Sequence, residues 1–309
     1  MENKWYVIIN PNAGSRKGEQ DWPAIRDLLI SKGLKFEYTF SEYHKHAISL
    51  ASRAIENGYR HLLAVGGDGT INEIVNGIFK QAVVSTTDIT LGVLTIGTGN
   101  DWGRMFDIPM DYEKAIDIIS AEKVFYQDVG LVQYKNGSGS DYRYFINIAG
   151  IGFDAIVAKK TNSLKALGKS NSFSYLTSLF SSLLKYKHHK SEIIVDESKH
   201  KLNTSLFSMN VGICQYNGGG MKQVPNAIPD DGLFDLTIIS KVRKFSVFRH
   251  LQKIYRGTHL SLPYVKSFQA KTVIITSNSP INLEVDGESL GHTPMEFSII
   301  PSGIKVITG

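Results

Sequence analysis

Apolar positions in the first 120 residues switch repeatedly between two periods. Trp5 to Ile9 is a short β-rich run, and residues 21–31 then place Ile25, Leu28 and Leu29 at helical spacing. Lys35 to Phe40 reads as a strand and His46 to Glu56 as a helix. His61 to Val65 is a continuous apolar strand and Thr70 to Phe79 a helix. Thr90 to Ile96 and Tyr112 to Ser120 repeat the pair. Strand and helix in strict alternation predict a mostly parallel sheet with helices on both faces.

Beyond residue 120 the strands crowd together. Strand patterns cover Lys123 to Gln133, Tyr142 to Ala149, Glu192 to Asp196, Leu206 to Cys214, Leu233 to Ile239, Thr272 to Thr276, Ile281 to Val285 and Phe297 to Ile300. Asn136-Gly137, Asp231-Gly232 and Asp286-Gly287 supply turn signals between them. The expected fold class is therefore α/β plus β, with an α/β domain over 1–125 and a β-rich sandwich or barrel over 126–309. The last strand is free to return to the first domain. Two helices interrupt the second half. Residues 173–187 align Phe173, Leu176, Phe180, Leu183 and Leu184 on one face, with Lys185 and Lys187 in a basic tail. Residues 243–256 put Arg249, Lys253 and Arg256 on one helical face. Each reads either as a helix with a solvated basic side or as a surface that approaches anionic lipid.

Composition narrows the setting. Of 309 residues, 42% are hydrophobic and 20% charged, an ordinary globular mixture, and the net charge of +5 favours an anionic partner. The single cysteine, Cys214, lies in an apolar run and reads as a small buried hydrophobe. No disulfide can form within the chain, which fits a cytoplasmic setting. The N-terminus lacks the apolar stretch of a signal peptide, and no run reaches the ~18 apolar residues of a membrane span, so any membrane contact is expected to be peripheral. The histidine pair His188-His189 is flanked by lysines and reads as a solvated basic tail rather than a metal site. Basic residues are scattered and no nucleic-acid-binding motif occurs, so no nucleic-acid partner is expected.

Four polar or glycine-rich segments directly follow the first four strands: Asn10-Pro11-Asn12-Ala13-Gly14, Ser41-Glu42, Gly66-Gly67-Asp68-Gly69-Thr70 and Gly97-Thr98-Gly99-Asn100-Asp101. In a parallel sheet the C-terminal strand ends share one edge, and ligands bind in the crevice there. Gly66 to Thr70 ends a strand and opens a helix, so its backbone N–H groups suit phosphate oxygens. The Asp68 carboxylate would repel a bare phosphate and makes sense with Mg²⁺ between them. The segment also reads as a capped tight turn, but the longer string continuing through Ile71, Asn72 and Glu73 is far more specific. It is neither a Walker loop nor the dinucleotide fingerprint. Thr98, Asn100 and Asp101 offer a hydroxyl, an amide and a carboxylate at a strand end, or a helix cap before Trp102.

With these strings in order, and with Gly150-Ile151-Gly152-Phe153-Asp154, Asp231-Gly232-Leu233-Phe234-Asp235 and Val285-Asp286-Gly287-Glu288 after them, the sequence resembles the bacterial diacylglycerol kinase and lipid kinase family over nearly its whole length. Sphingosine kinases are more distantly similar. Gly-Gly-Asp-Gly-Thr alone is shared with NAD kinases and phosphofructokinases. The resemblance implies a Rossmann-like α/β nucleotide-binding domain followed by a β-sandwich-type domain, with the active site between them. It implies ATP contacts from Asn10 to Gly14, Ser41, Gly66 to Asn72 and Thr98; Ser41 stands where many relatives carry Thr. It also implies a structural Mg²⁺ near Asp231, aided by the carbonyls of Ile228 and Leu233, where local chemistry by itself gives a hairpin turn. Finally it implies that Asp286 or Glu288 is the catalytic base, although Asp-Gly here also makes a good type I′ turn.

The expected reaction is ATP-dependent phosphorylation of a lipid hydroxyl. Asp68 and Asp101 would position Mg²⁺, and Asp286 or Glu288 would accept the alcohol proton. The expected partners are ATP and a lipid substrate at the inner membrane face, with a homodimer possible in the family. The rival readings are a kinase of a soluble acceptor, of the NAD kinase kind, and a non-catalytic lipid- or nucleotide-binding protein. The retained acidic residues Asp68, Asp101, Asp286 and Glu288 speak against the latter.

Overall fold

The computed structural model describes residues 4–97, 99–166, 181–197 and 199–309. The chain forms two compact units, Met1–Val129 with Ile300–Gly309, and Gly130–Ile299.

The first unit is built on parallel strands. β1 (Lys4–Ile9) pairs with β2 (Lys35–Phe40) on one side and β3 (His61–Gly66) on the other, and β3 pairs with β4 (Thr90–Thr95). β3 and β4 are buried along nearly their whole length, as expected of strands covered on both faces, whereas β2 is half exposed at the sheet edge. Between the strands run α1 (Ala13–Gln20), α2 (Trp22–Ser31), α3 (His46–Glu56), α4 (Asp68–Lys80), α5 (Asp101–Met105) and α6 (Tyr112–Ala121). α3 buries Ala47, Leu50, Ala51, Ala54 and Ile55, the face its spacing predicts. α3 and α4 approach closely at Gly77, where a Cβ would lie 2.4 Å from the Ile48 carbonyl oxygen.

The second unit is antiparallel. Its strands are β5 (Val124–Asn136), which begins in the first unit, β6 (Gly139–Phe145), β7 (Ile148–Gly152), β8 (His189–Val195), β9 (His200–Gly212), β10 (Tyr216–Asn217), β11 (Met221–Lys222), β12 (Phe234–Ser240), β13 (Val265–Ala270), β14 (Thr272–Ser277), β15 (Asn282–Val285) and β16 (Glu288–Ile307). The long strands β9 and β16 change partners along their length. β9 pairs first with β8 and then with β7, and β16 pairs first with β15 and then with β14. With β14 on β8 and β15 on β7, the ladder returns to its start, a sandwich-like closure that leaves β13 and β6 as edge strands. The unit also contains α7 (Phe153–Ala166), the helical residues 181–185, α8 (Lys244–Arg249) and α9 (Leu251–Tyr255).

Several expectations need correction. Tyr142 to Ala149 is not one strand: β6 ends at Phe145 and β7 starts at Ile148, because the N–H groups between them turn onto a buried carboxylate. The helix expected over 243–256 breaks at His250 into α8 and α9, so Arg249 does not share one continuous helix with Lys253 and Arg256. α7 and β13 were not expected. Phe297 to Ile300 is only the middle of β16. Its final turn of chain does not stay with the β-rich part: Lys305 and Val306 pair in parallel with Thr90 and Leu91 of β4, and Ile304, Val306 and Ile307 are fully buried. The helix expected over 173–187 falls largely outside the described residues, of which 181–185 are helical.

Candidate functional site

Parallel register brings the strand-end segments of the first unit to one edge. The Asn10 N–H donates to Val65 O, Ser41 N–H to Ile9 O and Ile96 N–H to Gly66 O, so the four segments leave the sheet side by side. Asn10 links two of them, its Nδ2 donating to Thr70 Oγ1 at 3.1 Å. Its Oδ1 accepts from the Asn12 N–H and shapes the turn through Pro11. Ala13 is buried, and Gly14, Ser15 and Arg16 then follow with φ of 58, 63 and 73°, a left-handed run that favours glycine at its first position. The loops after β3 and β4 meet closely at Gly97, where a Cβ would lie 2.4 Å from Asn100 Oδ1 and 3.1 Å from the Gly67 Cα, whereas one at Gly67 would make only ordinary contact with the Gly97 Cα. Gly67 opens α4 without a side-chain cap, which leaves the positive end of the helix at this edge.

Two carboxylates face one small space beside these loops. Asp68 accepts the N–H groups of Asp101 (3.2 Å) and Trp102 (3.1 Å), capping the start of α5. A Cβ on Gly99 would sit 3.2 Å from Asp68 Oδ2 and 3.3 Å from Asp101 Oδ2, so only glycine leaves that space open. Loss of water and then the Asp101 charge raise the Asp68 carboxyl above its ordinary value, against the pull of backbone N–H donors. Asn100, in the left-handed region at φ 49°, holds a buried Oδ1 with no hydrogen-bond partner among the described residues. Two neighbouring carboxylates are oxygen donors of the kind a hard divalent cation accepts, and the unpaired Asn100 oxygen lies against Gly97 rather than in the Gly99 space.

Not every residue of the glycine-rich string reaches this edge. Ile71 and Asn72 have buried side chains, and Asn72 Oδ1 accepts from Asn76 one turn along α4. Glu73 accepts the N–H groups of Lys45 and Ala47 and so caps α3. Thr98 lies outside the described residues.

In the second unit, Asp286 and Gly287 have φ of 47 and 84°, the type I′ geometry. The Asp286 side chain, 5% exposed, accepts three backbone N–H bonds of 3.1 Å, from Ile146 to Oδ2 and from Asn147 and Ile148 to Oδ1. Both its oxygens are occupied in holding the β6–β7 connection. Glu288, half-buried on the same turn, pairs with Arg143 Nη2 at 3.1 Å.

Beneath this turn lies a group the sequence reading missed. Glu284, 1% exposed, accepts the Gly287 N–H (2.9 Å) on Oε2 and Asn217 Nδ2 (2.9 Å) on Oε1. Asp154, at the start of α7, accepts Ser208 Oγ close by. Burial first, then the Asp154 and Asp286 charges, push the Glu284 carboxyl up to about 8 despite its two donors. Ile281, Leu283 and Val285 alternate with Asn282 and Glu284, which assigns Glu284 to the polar face of the strand, so the sequence carried no signal for its burial. At the remaining expected position, Asp231 is exposed and closes a turn by accepting the Leu233 N–H at 2.9 Å, with Ile228 half exposed nearby in sequence.

Residues 4–132 match the diacylglycerol kinase catalytic domain, and residues 147–308 match the YegS C-terminal NAD kinase beta sandwich-like domain. A diacylglycerol kinase of Staphylococcus saprophyticus is 31% identical over 309 residues, covering all of this chain and 96% of the relative. One from Staphylococcus epidermidis is 32% identical, covering all of this chain and 93% of the relative. Among solved structures, a diacylglycerol kinase of Bacillus anthracis superposes with a TM-score of 0.74 at 20% identity, over 99% of this chain and 97% of the other. Yeast NADH kinase, complexed with NADH, shares the fold at a TM-score of 0.55 and 14% identity, over 99% of this chain and 83% of the other. Similarity that runs the full length of the staphylococcal enzymes, through both units, places the chain in the diacylglycerol kinase family of lipid kinases.

Proposed function

We propose that the protein transfers the γ-phosphoryl group of ATP to the hydroxyl of a lipid alcohol, diacylglycerol or a close relative, with Glu288 as the proton acceptor. The observation that carries this reading is the strand edge where the loops after β1, β3 and β4 meet around the Asp68–Asp101 pair. The uncapped start of α4 and the left-handed run at Gly14 offer N–H groups to phosphate oxygens. Asp68 and Asp101 would hold Mg²⁺, which when bound neutralises phosphate charge. Within the chain, Asp68 keeps its place because α5 donates two N–H groups to it. Positioning and charge complementarity are the main sources of rate in such transfers.

The choice of base rests on occupancy. Asp286 spends both oxygens on the N–H groups of residues 146–148, so its part is to fix the turn. Glu288 stands on that turn with Arg143 holding one oxygen, Oε2. A carboxylate so placed can accept the alcohol proton as the oxygen attacks phosphorus.

The test is a transfer assay with γ-labelled ATP, Mg²⁺ and micellar lipids, with NAD as a soluble control. Label should enter a lipid, and Glu288→Gln should lower kcat by about 10²-fold or more in protein that still folds, with some loss of stability because Arg143 loses a charged partner. Asp286→Asn should lose roughly 1–3 kcal/mol of stability, because an amide N–H₂ would face donors that need an acceptor. Label in NAD alone would overturn the lipid assignment, and full activity in Glu288→Gln would remove it as the base.

A further inference from the structure

We propose that the face formed by residues 184–187 and 241–249 of the second unit docks the protein on an anionic lipid bilayer, with Phe245 inserted among the acyl chains.

Phe245 is 79% exposed, the most exposed large apolar side chain among the described residues. A single exposed phenylalanine would mean little. Its surroundings make the difference. α8 is fixed from below: Val247 and Phe248 pack against a core of Phe153, Val157, Leu183, Tyr186, Phe207 and Val242. Phe245 is therefore held out of the core by a helix whose other apolar residues are anchored in it. Leu184, 55% exposed, is on the neighbouring segment, whose backbone the Lys244 side chain reaches by donating from Nζ to the Leu184 carbonyl oxygen. The Val242 N–H also reaches His188 Nε2, which ties the two segments together.

The polar residues around this apolar pair carry one sign of charge. Lys241, Arg243, Lys244 and Arg249 on one segment and Lys185 and Lys187 on the other are all exposed. Residues 241–256 contain six lysines and arginines and no acid. His188 senses the same field: burial first, and then Lys244 and Lys241, hold its imidazole below the ordinary value. A protruding aromatic on linked segments that carry exposed cations matches an anionic interface, where lipid headgroups take the charge and the acyl boundary takes the ring. A soluble acidic partner would satisfy the cations but leave Phe245 without a place to go.

The inference is measured without ATP or turnover, so it stands or falls apart from the proposed reaction. Full-length protein is sedimented with phosphatidylcholine vesicles and with vesicles carrying roughly 30% phosphatidylglycerol, at low and at about 0.15 M salt. Binding should need the anionic lipid and weaken with salt. Phe245→Ser and, separately, Lys244→Glu with Arg243→Glu should each weaken it by about tenfold, with wild-type unfolding midpoints. Unchanged vesicle binding in both variants would overturn the proposal. So would equal binding to neutral vesicles, or loss in Phe245→Ser of a dimer seen by sedimentation velocity with no change on vesicles, which would make this face a contact between copies.

Discussion

At the scale of single residues, the two acidic side chains of the Asp286–Glu288 turn have different chemistry because of what else reaches them. Nothing in the string Glu-Val-Asp-Gly-Glu separates the two. The three N–H groups that occupy Asp286 come from a segment about 140 residues earlier. Glu284 shows the same dependence. Folded, it keeps its proton up to about pH 8, whereas its ordinary value is 4.5. A carboxyl raised in this way contributes stability that is fully present below pH 4.5 and is lost as pH rises through 8. Glu284→Gln keeps an acceptor for Gly287, turns an N–H₂ on Asn217 and has no charge to bury, so it should lose a constant increment at every pH. Its stability relative to the wild type should nevertheless rise by on the order of 4 kcal/mol between pH 4.5 and pH 9. Urea unfolding of both proteins across this range checks it, and parallel curves would show that Glu284 is ionised throughout.

At the scale of elements, glycines mark where two backbones must touch, but the sequence does not say which backbones. Gly77 and Gly97 look alike in the chain, and their neighbours give them different jobs. At Gly77 a methyl group would press on the Ile48 carbonyl of α3, so Gly77→Ala should cost roughly 1–3 kcal/mol of stability and leave nucleotide affinity nearly unchanged in what still folds. At Gly97 it would press on Asn100 Oδ1 and stand 3.1 Å from the Gly67 Cα, driving apart the loops after β3 and β4. Gly97→Ala should therefore weaken ATP binding by about tenfold or more with a smaller change in unfolding midpoint, as a misplaced positioning group does. Equilibrium binding of a fluorescent ATP analogue, beside thermal unfolding, separates the two effects. α8 and α9 illustrate the limit of periodicity. Arg249, Lys253 and Arg256 have helical spacing, yet the chain turns at His250, whose Nδ1 contacts Ser246 Oγ and Tyr264 Oη.

At the scale of the whole molecule, the first unit is not complete until the end of the chain is made. Ile304, Val306 and Ile307 are buried in it, Ser302 donates its N–H to the buried Asp128 at 2.7 Å, and Thr86 donates to the Gly303 carbonyl at 2.6 Å. Removing residues 302–309 should cost roughly 5 kcal/mol or more from the three apolar side chains alone, comparable to the whole stability of an ordinary domain. Limited proteolysis of the shortened chain should cut within 4–129 first, and a wild-type pattern there would show that β4 tolerates an open edge. No helix among the described residues is long and apolar enough to cross a membrane.

By itself the sequence determined the alternation of strand and helix in the first 120 residues, the extent of β2 and α3, and the loops that gather at one sheet edge. These are local matters: side-chain period, β-branched runs and glycine after a strand act over a few residues, and parallel order then carries the loops to a common side. Tertiary structure alone decided that β6 and β7 are separate strands, that Ile300–Gly309 completes the first unit, that Asp286 is occupied and that Glu284 is buried with a proton. Each depends on backbone donors or packing surfaces supplied from far along the chain, and no local pattern encodes the partner that a buried polar group will find.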